Sequence, residues 1–400
     1  MNNQQFIKEN APCYIYDKKL INEQCRKLKS TLSAFHILYS IKANPFDRVI
    51  QCITDQGFGA DAASANEVLI AARNGLQPEQ IFYSAPGKTE NDLVLCYGKC
   101  IMIADSFTEI ERMNAQAMHN KDVLKIGVRI NPSFSMGNGP GAASKFGIDE
   151  EQMGELQQLL RKCQYLQIVG IHIHIKSQIL DYKTLEAYYH NCFRLAQKMG
   201  SLENVKMEFI NFGSGIGTIY DTAQDQPVNL EKLADVVSKI VNENCAGLNA
   251  KLYIETGRFV VCNAGTYYTK IIDIKFSHGK KFLIVQNGLN GFMRPAIANL
   301  LHKVTGEIEI PEQEPFYTCR HEFALNVLNH ANSQEPVTVA GSLCTALDIL
   351  GEDVELNVAQ IGDVIAVSNA GSYACTLSPL LFSSHAAPKE FLQAENGAML

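Results

Sequence analysis

The chain has 400 residues, 46% hydrophobic and 19% charged, which is enough for two packed domains. A net charge of −7 without any basic run argues against a nucleic-acid or anionic-membrane surface, and no apolar stretch reaches bilayer-spanning length. The opening MNNQQFIKEN lacks the basic-then-apolar layout of a secretory signal, so a cytoplasmic protein is expected. Twelve cysteines are scattered without a Cys-x-x-Cys pair, Cys96 and Cys100 being nearest, and most read as reduced thiols in core positions.

The run PCYIYD near the start reads as a strand, and KKLINEQCRKLKSTLS as an amphipathic helix. Eight β-rich runs then alternate with helical segments: HILYSIKA, GFGADAAS, IFYSAP, CIMIADS, LKIGVRIN, IVGIHIHI, EFINFGSG and KLYIETGR. Ser64 and Glu67 have the spacing of a capping box opening a helix that closes at Gly75. Asp149 is placed to cap the helix whose Met153, Leu156, Leu160 and Cys163 recur along one face. Such alternation implies parallel strands joined by crossovers, and eight units favour a closed (β/α)8 TIM barrel, expected over residues 28–262. After Arg258 the texture changes to YYTKIIDIKF, KKFLIVQNG, EPVTVAGSL and DVIAVSNAG, strands with little helix between. Residues 1–27 and 263–400 are therefore expected to form a second, mainly β domain, carrying Cys344 and Tyr373.

In such barrels reactive groups lie at the C-terminal ends of the strands. Lys42 lies near the end of the first strand, His172 and His174 close the sixth, Gly213, Gly215 and Gly217 follow the seventh, and Glu255 with Arg258 ends the eighth. Because the first strand is apolar, Lys42 is expected to be buried, which would disfavour its charged form and suit Schiff-base chemistry. His172 and His174 share one face and leave three readings open: a metal pair, core histidines, or a stacking group with a neighbour. A glycine loop after the seventh strand fits the usual phosphate site of a barrel, and Arg258 could complete it; Glu255 and Arg258 could otherwise merely neutralise each other. Taken together, a lysine, a phosphate cradle, an arginine and a carboxylate match what pyridoxal phosphate requires, with Glu255 suited to the ring nitrogen.

With these residues assembled, the chain resembles the fold-type III pyridoxal-phosphate decarboxylases, the group of diaminopimelate, ornithine and arginine decarboxylases. The resemblance runs through YSIKAN, GADAAS, YSAPGKT, SKFGI, IHIHIKSQ, FGSGIG, ETGR, CTALD and NAGSY. It implies that Lys42 carries the cofactor as a Schiff base and that His174 stacks on the ring. It further implies that Ser177, Gly213, Gly215, Arg258 and Tyr373 contact the phosphate, and that Glu255 partners the pyridine nitrogen. Cys344 resembles the residue that returns a proton after carbon dioxide leaves, arriving from the neighbouring subunit of a head-to-tail homodimer with shared active sites. Asp348 closes that motif, supporting it rather than reacting, and is grouped with Arg294 and Thr345 around the substrate. No metal site is expected.

The departures narrow the substrate. Lys176 stands where the family has glycine, and Ser214 stands inside the triple-glycine loop. Diaminopimelate decarboxylases carry an acidic residue after the motif cysteine, where it reads a distal amine; here it is the neutral Thr345. Their Arg-Pro-x-x-Tyr stretch appears as Arg294-Pro-Ala-Ile-Ala298, keeping a cation for a carboxylate but losing the tyrosine. The glycine-rich segment after Met136 reads as a mobile loop over the substrate entrance. The expected reaction is decarboxylation of an amino acid already condensed with a carboxylic acid, as in siderophore or antibiotic assembly.

The alternatives are ordinary diaminopimelate decarboxylase, supported by Arg294-Pro-Ala and SKFGI, and a racemase on the same barrel, disfavoured by Glu255 because such racemases place an arginine at the ring nitrogen. A metal hydrolase built on His172 and His174 lacks further histidines on the last two strands. A non-catalytic relative regulating a partner is disfavoured by the joint presence of Lys42, Glu255 and Cys344.

Overall fold

The computed structural model describes residues 3–136, 139–213, 215–220, 225–244, 250–305, 323–329 and 333–400. The chain forms two units. One comprises Cys25–Gly217 and Pro227–Gly257; the other comprises Met1–Gln24, Thr218–Gln226 and Arg258–Leu400. Residues 218–226 and 258–262, which the sequence pattern groups with the barrel, thus belong to the second unit.

The first unit is a closed barrel. Strands β2 (His36–Ser40), β3 (Gly59–Ala62), β4 (Ile81–Tyr83), β5 (Ile101–Ala104), β6 (Leu124–Asn131), β8 (Leu166–His172), β9 (Val205–Asn211) and β10 (Lys251–Thr256) pair in parallel around the ring, with the short β7 (Ile148–Asp149) added beside β6. The ring closes through β10 on β2 and β5 on β6. Buried on both faces, these strands read as short apolar runs rather than alternating ones. Leu38, Phe82, Ile103, Val169, Phe209 and Tyr253, each from a different barrel strand, form one buried apolar cluster. Phe209 explains two glycines: a side chain on Gly127 or Gly170 would come within 2.7 or 2.4 Å of its ring.

The expected helix signals hold in part. Ser64 Oγ accepts from Glu67 N at 3.2 Å, but Glu67 reaches back to the amide of Ala63 instead of that of Ser64. Asp149 does not cap the following helix; its carboxylate accepts from Asn131 Nδ2 at 2.7 Å, and a 3-10 turn at Glu150–Gln152 precedes the helix Met153–Leu160.

The second unit is mainly β. Its strands β1 (Cys13–Asp17), β11 (Gly265–Ser277), β12 (Lys280–Val285), β13 (Leu325–Val327), β14 (Gln334–Ala340), β15 (Ile349–Asn357), β16 (Val364–Val367) and β17 (Lys389–Gln393) form one sheet. In it β1 is antiparallel to β11 and parallel to β17. A helix, Met293–Thr305, carries Arg294. Among the described residues no helix is long and apolar enough to cross a membrane.

Candidate active site

On the barrel, the expected residues gather at the C-terminal strand ends. Lys42 lies in a 3-10 turn, Ile41–Ala43, that follows β2 and is held by the Tyr39 hydroxyl donating to the Asn44 carbonyl at 2.9 Å. The expectation that Lys42 is buried is not met: its side chain is 43% exposed, because the turn carries it past the apolar strand. Its amine lies 3.9 Å from Asp61 Oδ2. Asp61 itself is buried, with Oδ1 accepting from the Ser84 hydroxyl at 2.7 Å and Oδ2 making no hydrogen bond. An acceptor orphaned in this way belongs beside a cation or a bound group.

Glu255, on β10, is also buried. Its Oε1 accepts from Asn211 Nδ2 at 2.9 Å and lies 3.1 Å from His172 Nε2. Burial, reinforced by the positive charge of Arg129, pushes the His172 imidazole well below its ordinary value, so this contact joins a carboxylate to a neutral ring and is not an ion pair. His172 is therefore a core histidine that backs Glu255. His174 lies two residues beyond the end of β8, and burial pushes it down to about 3 despite the opposing charge of Glu255, leaving it neutral too.

The glycine loop is a cradle that side chains would fill. Gly213, at φ +62, has no room for a Cβ, which would come within 2.6 Å of His174 Nδ1. A Cβ on Gly215 would meet Leu185 at 2.6 Å. The segment carrying Ser177 runs beside this loop: Ile179 N donates to the Gly215 carbonyl at 2.7 Å, and Gly217 N donates to the Ile179 carbonyl at 2.9 Å. The buried Tyr188 hydroxyl, 2.9 Å from the carbonyls of both Ile173 and Phe212, pins the ends of the two neighbouring strands together. Lys176 is half-buried in the same segment, and Ser214 lies outside the described residues. The tip of the expected entrance loop, residues 137 and 138, also lies outside them. Its flanks are tied, with Ser135 N donating to the Gly139 carbonyl and Gly139 N to Ser135 Oγ.

On the second unit, Arg258 opens the short helix Arg258–Val261 and is buried. It donates to the Tyr220 hydroxyl and lies 4.8 Å from the centroid of the Tyr373 ring. Tyr373 is held at φ +52, an unusual backbone state for a bulky residue. Two residues earlier the same loop lies close against the Arg258 helix: a Cβ on Gly371 would strike the Val261 carbonyl, and Gly371 N donates to the Cys262 carbonyl at 3.0 Å.

Arg294 is almost fully buried, donating to the Ser372 carbonyl at 3.2 Å. Cys344 is exposed, its sulfur 4.0 Å from Ser383 Oγ. The Thr345 hydroxyl accepts from Leu347 N at 3.3 Å. Asp348 departs from its expected place beside the substrate. It is 2% exposed, and its two oxygens accept from Leu289 N at 2.6 Å and Leu343 N at 2.9 Å. It ties two loops together, and side chains on Gly288 or Gly341 would collide with it.

The residues present fit pyridoxal phosphate. The barrel offers an amine beside an orphaned carboxylate oxygen, a second carboxylate buried against a neutral imidazole, and a glycine loop with no room for side chains. That donor set, on a closed barrel of parallel strands, defines an enzyme of the pyridoxal-phosphate class. Residues 18–262 match the family model described as the pyridoxal binding domain of pyridoxal-dependent decarboxylases, and the chain belongs to that family, the fold-type III decarboxylases. It is a carboxy-lyase that uses pyridoxal phosphate and acts on an amino acid.

Among relatives, an L-glutamyl-(BtrI acyl-carrier protein) decarboxylase from Niallia circulans is 29% identical, the match covering 97% of this chain and 90% of that one. A diaminopimelate decarboxylase from Aquifex aeolicus is 28% identical, covering 92% and 83%. The crystal structure of a Helicobacter pylori diaminopimelate decarboxylase (I148L mutant) complexed with L-lysine superposes with a TM-score of 0.83 at 24% identity, covering 100% of this chain and 95% of that one, which shows the shared fold.

Sequence reasoning missed three contributors. Asn211 precedes Gly213 by two residues and both orients Glu255 and accepts from Gly213 N at 2.9 Å. Tyr188 and Tyr220 carried no signal, since each acts through its hydroxyl on groups remote in sequence.

Proposed function

We propose that this decarboxylase acts on a conjugated amino acid, one whose distal group is already joined to an acyl unit, in the manner of siderophore or antibiotic assembly. The observation that carries this reading is Thr345, a neutral residue immediately after Cys344, where a free distal ammonium would call for a carboxylate. The Niallia circulans relative, whose name describes a glutamyl group carried on an acyl-carrier protein, supports the conjugated class.

Lys42 would hold the cofactor aldehyde, His174 the ring face, Glu255 the ring nitrogen, and Ser177, Gly213, Gly215, Arg258 and Tyr373 the phosphate. Bound there, pyridoxal phosphate supplies a ring that accepts the electron pair left behind when carbon dioxide departs. Glu255, held by Asn211 beside a neutral His172, would set its carboxylate at the ring nitrogen. Cys344 hands a proton to the reacting carbon, and the Lys42 amine carries protons between turnovers. Arg294 provides a fixed cation for a carboxylate of the substrate, and Thr345 lines the pocket for its neutral distal portion. Asp348 keeps the Cys344 loop in shape.

Cys344 serves a second copy of the chain in a homodimer. Support comes from its surroundings: Leu347, Leu381 and Phe382 are 48%, 91% and 44% exposed on the same unit. Apolar surface of this kind marks an interface more often than a free face. The described cysteines are all unpaired thiols, which suits the reducing cytoplasm.

A second reading, diaminopimelate decarboxylase, is favoured by the retained Arg294-Pro295-Ala296 and by the Aquifex aeolicus relative. A screen of carbon-dioxide release separates the two. The purified enzyme is given meso-diaminopimelate, lysine, ornithine, glutamate on a carrier protein, and citrate-linked diamino acids. Turnover confined to the conjugates is expected; efficient turnover of meso-diaminopimelate alone would replace this reading with the second. Cofactor binding without carbon dioxide from any of them would favour a regulatory relative.

A further inference from the structure

Tyr220 stands against both arginines of the second unit. Its hydroxyl accepts from Arg258 Nη1, and its ring centroid lies 5.3 Å from the Arg294 guanidinium carbon. All three residues are at least nine-tenths buried. Two guanidinium groups brought this close out of water repel one another, and each loses hydration. A phenol answers both demands with different parts of one side chain, an oxygen acceptor for one cation and a π face for the other. The loop that carries Ser372 and Tyr373 meets the same two cations, Ser372 through its carbonyl on Arg294 and Tyr373 through its ring on Arg258.

We propose that Tyr220 is a positioning residue that couples the two cations, resting on the assignment of the cofactor phosphate to Arg258 and a substrate carboxylate to Arg294. The hydroxyl sets the guanidinium of Arg258, and the ring sets that of Arg294. One residue thereby ties the cofactor anchor to the substrate anchor, through contacts that lie wholly on one unit of the chain. Tyr220 belongs to the same unit as both arginines, although barrel strands precede and follow it in sequence.

The two halves of the phenol can be removed separately. Tyr220→Phe deletes the acceptor and keeps the ring, whereas Tyr220→Leu deletes both. The first measurement is pyridoxal-phosphate affinity by titration of the apoenzyme. The second is citrate affinity, citrate being the carboxylate probe, read from the absorbance of the holoenzyme. Tyr220→Phe is expected to weaken cofactor binding roughly tenfold, the loss of one hydrogen bond to a charged donor, and to leave citrate binding within twofold. Tyr220→Leu is expected to weaken citrate binding as well, by about three- to tenfold. Because the leucine variant can lose fold, each variant is checked by thermal melting, and Tyr220→Phe alone carries the Arg258 half.

The same substitution in an Arg258→Met background makes the result specific. If Tyr220 acts through Arg258, Tyr220→Phe has no further effect there. A full, additive tenfold loss in that background would overturn the coupling while leaving the site assignment intact. Wild-type cofactor affinity in Arg258→Met alone would overturn the site assignment itself. Citrate binding that is absent from the wild type, or unmoved by a folded Tyr220→Leu, would overturn the Arg294 half.

Discussion

The barrel's strand ends and the loops of the β unit hold their functional side chains by different means. On the barrel, backbone geometry leaves little freedom: Gly213 abuts His174, Gly170 and Gly127 abut Phe209, and Glu255 is held by Asn211. On the β unit, the loop bearing Cys344 and Thr345 is held from behind by Asp348, and its tip is open to change. Most of the proposed cofactor contacts lie on the rigid side, Arg258 and Tyr373 excepted, and substrate choice belongs on the side where a single side chain can be exchanged without moving the backbone.

The sharpest way to break that contrast is Lys42→Ala. It is expected to reduce carbon-dioxide release below detection and to abolish borohydride trapping of the cofactor on the peptide containing residue 42, with an unchanged melting profile. Trapping on another lysine would place the chemistry elsewhere. Glu255→Gln comes next, because it keeps the shape and the Asn211 contact but removes the charge. A fall in kcat of roughly 10²- to 10³-fold is expected, and retention of full activity would show that the buried charge does not matter.

On the tolerant side, Thr345→Glu tests the reverse movement. Restoring a carboxylate beside Cys344 is expected to raise kcat/KM for meso-diaminopimelate by about tenfold, the value of a charged hydrogen bond, with stability unaffected. An unchanged ratio between free and conjugated substrates would remove Thr345 from specificity.

The smallest effect concerns pH. His174 is held neutral by burial down to about 3, below its ordinary 6.5, and His172 is displaced in the same direction. A depressed histidine contributes stability that is present above its unfolded value and is lost as pH falls below 6.5 toward the folded value, because the unfolded chain then binds protons the native state refuses. Urea melts between pH 7.5 and 5 are expected to show this decline, with a shallower slope in His174→Gln. A slope identical to that of the wild type would assign the decline to His172 or to other groups.

Much of the rigid side was legible in the sequence. Parallel strands covered on both faces leave short apolar runs, and strand ends announce themselves by abrupt polar or glycine residues, so Lys42, His174, Gly213 and Glu255 could be located by pattern. The exposure of Lys42 could not, since it depends on a 3-10 turn that carries the amine beyond the apolar strand. The partners of Asp348 were hidden for a similar reason: Leu289 lies far away in sequence, so nothing local distinguishes a loop-tying aspartate from one facing a substrate. Tyr220 was invisible because a lone tyrosine after a glycine loop carries no pattern, and its meaning comes from the two arginines of the unit to which it belongs.

The pairing of β1 has a consequence for how the molecule is made. Cys13, Tyr14 and Tyr16 are buried in the finished protein, yet one neighbouring strand, Lys389–Gln393, is made only after the whole barrel. At roughly 5–20 residues per second, β1 waits on the order of 20 to 75 seconds for that neighbour. The barrel can close in the meantime, but the apolar strand that precedes it stays incompletely covered until β17 emerges. A messenger cut short before β17 is encoded would therefore yield a chain with β1 half bare, a substrate for chaperones and proteases.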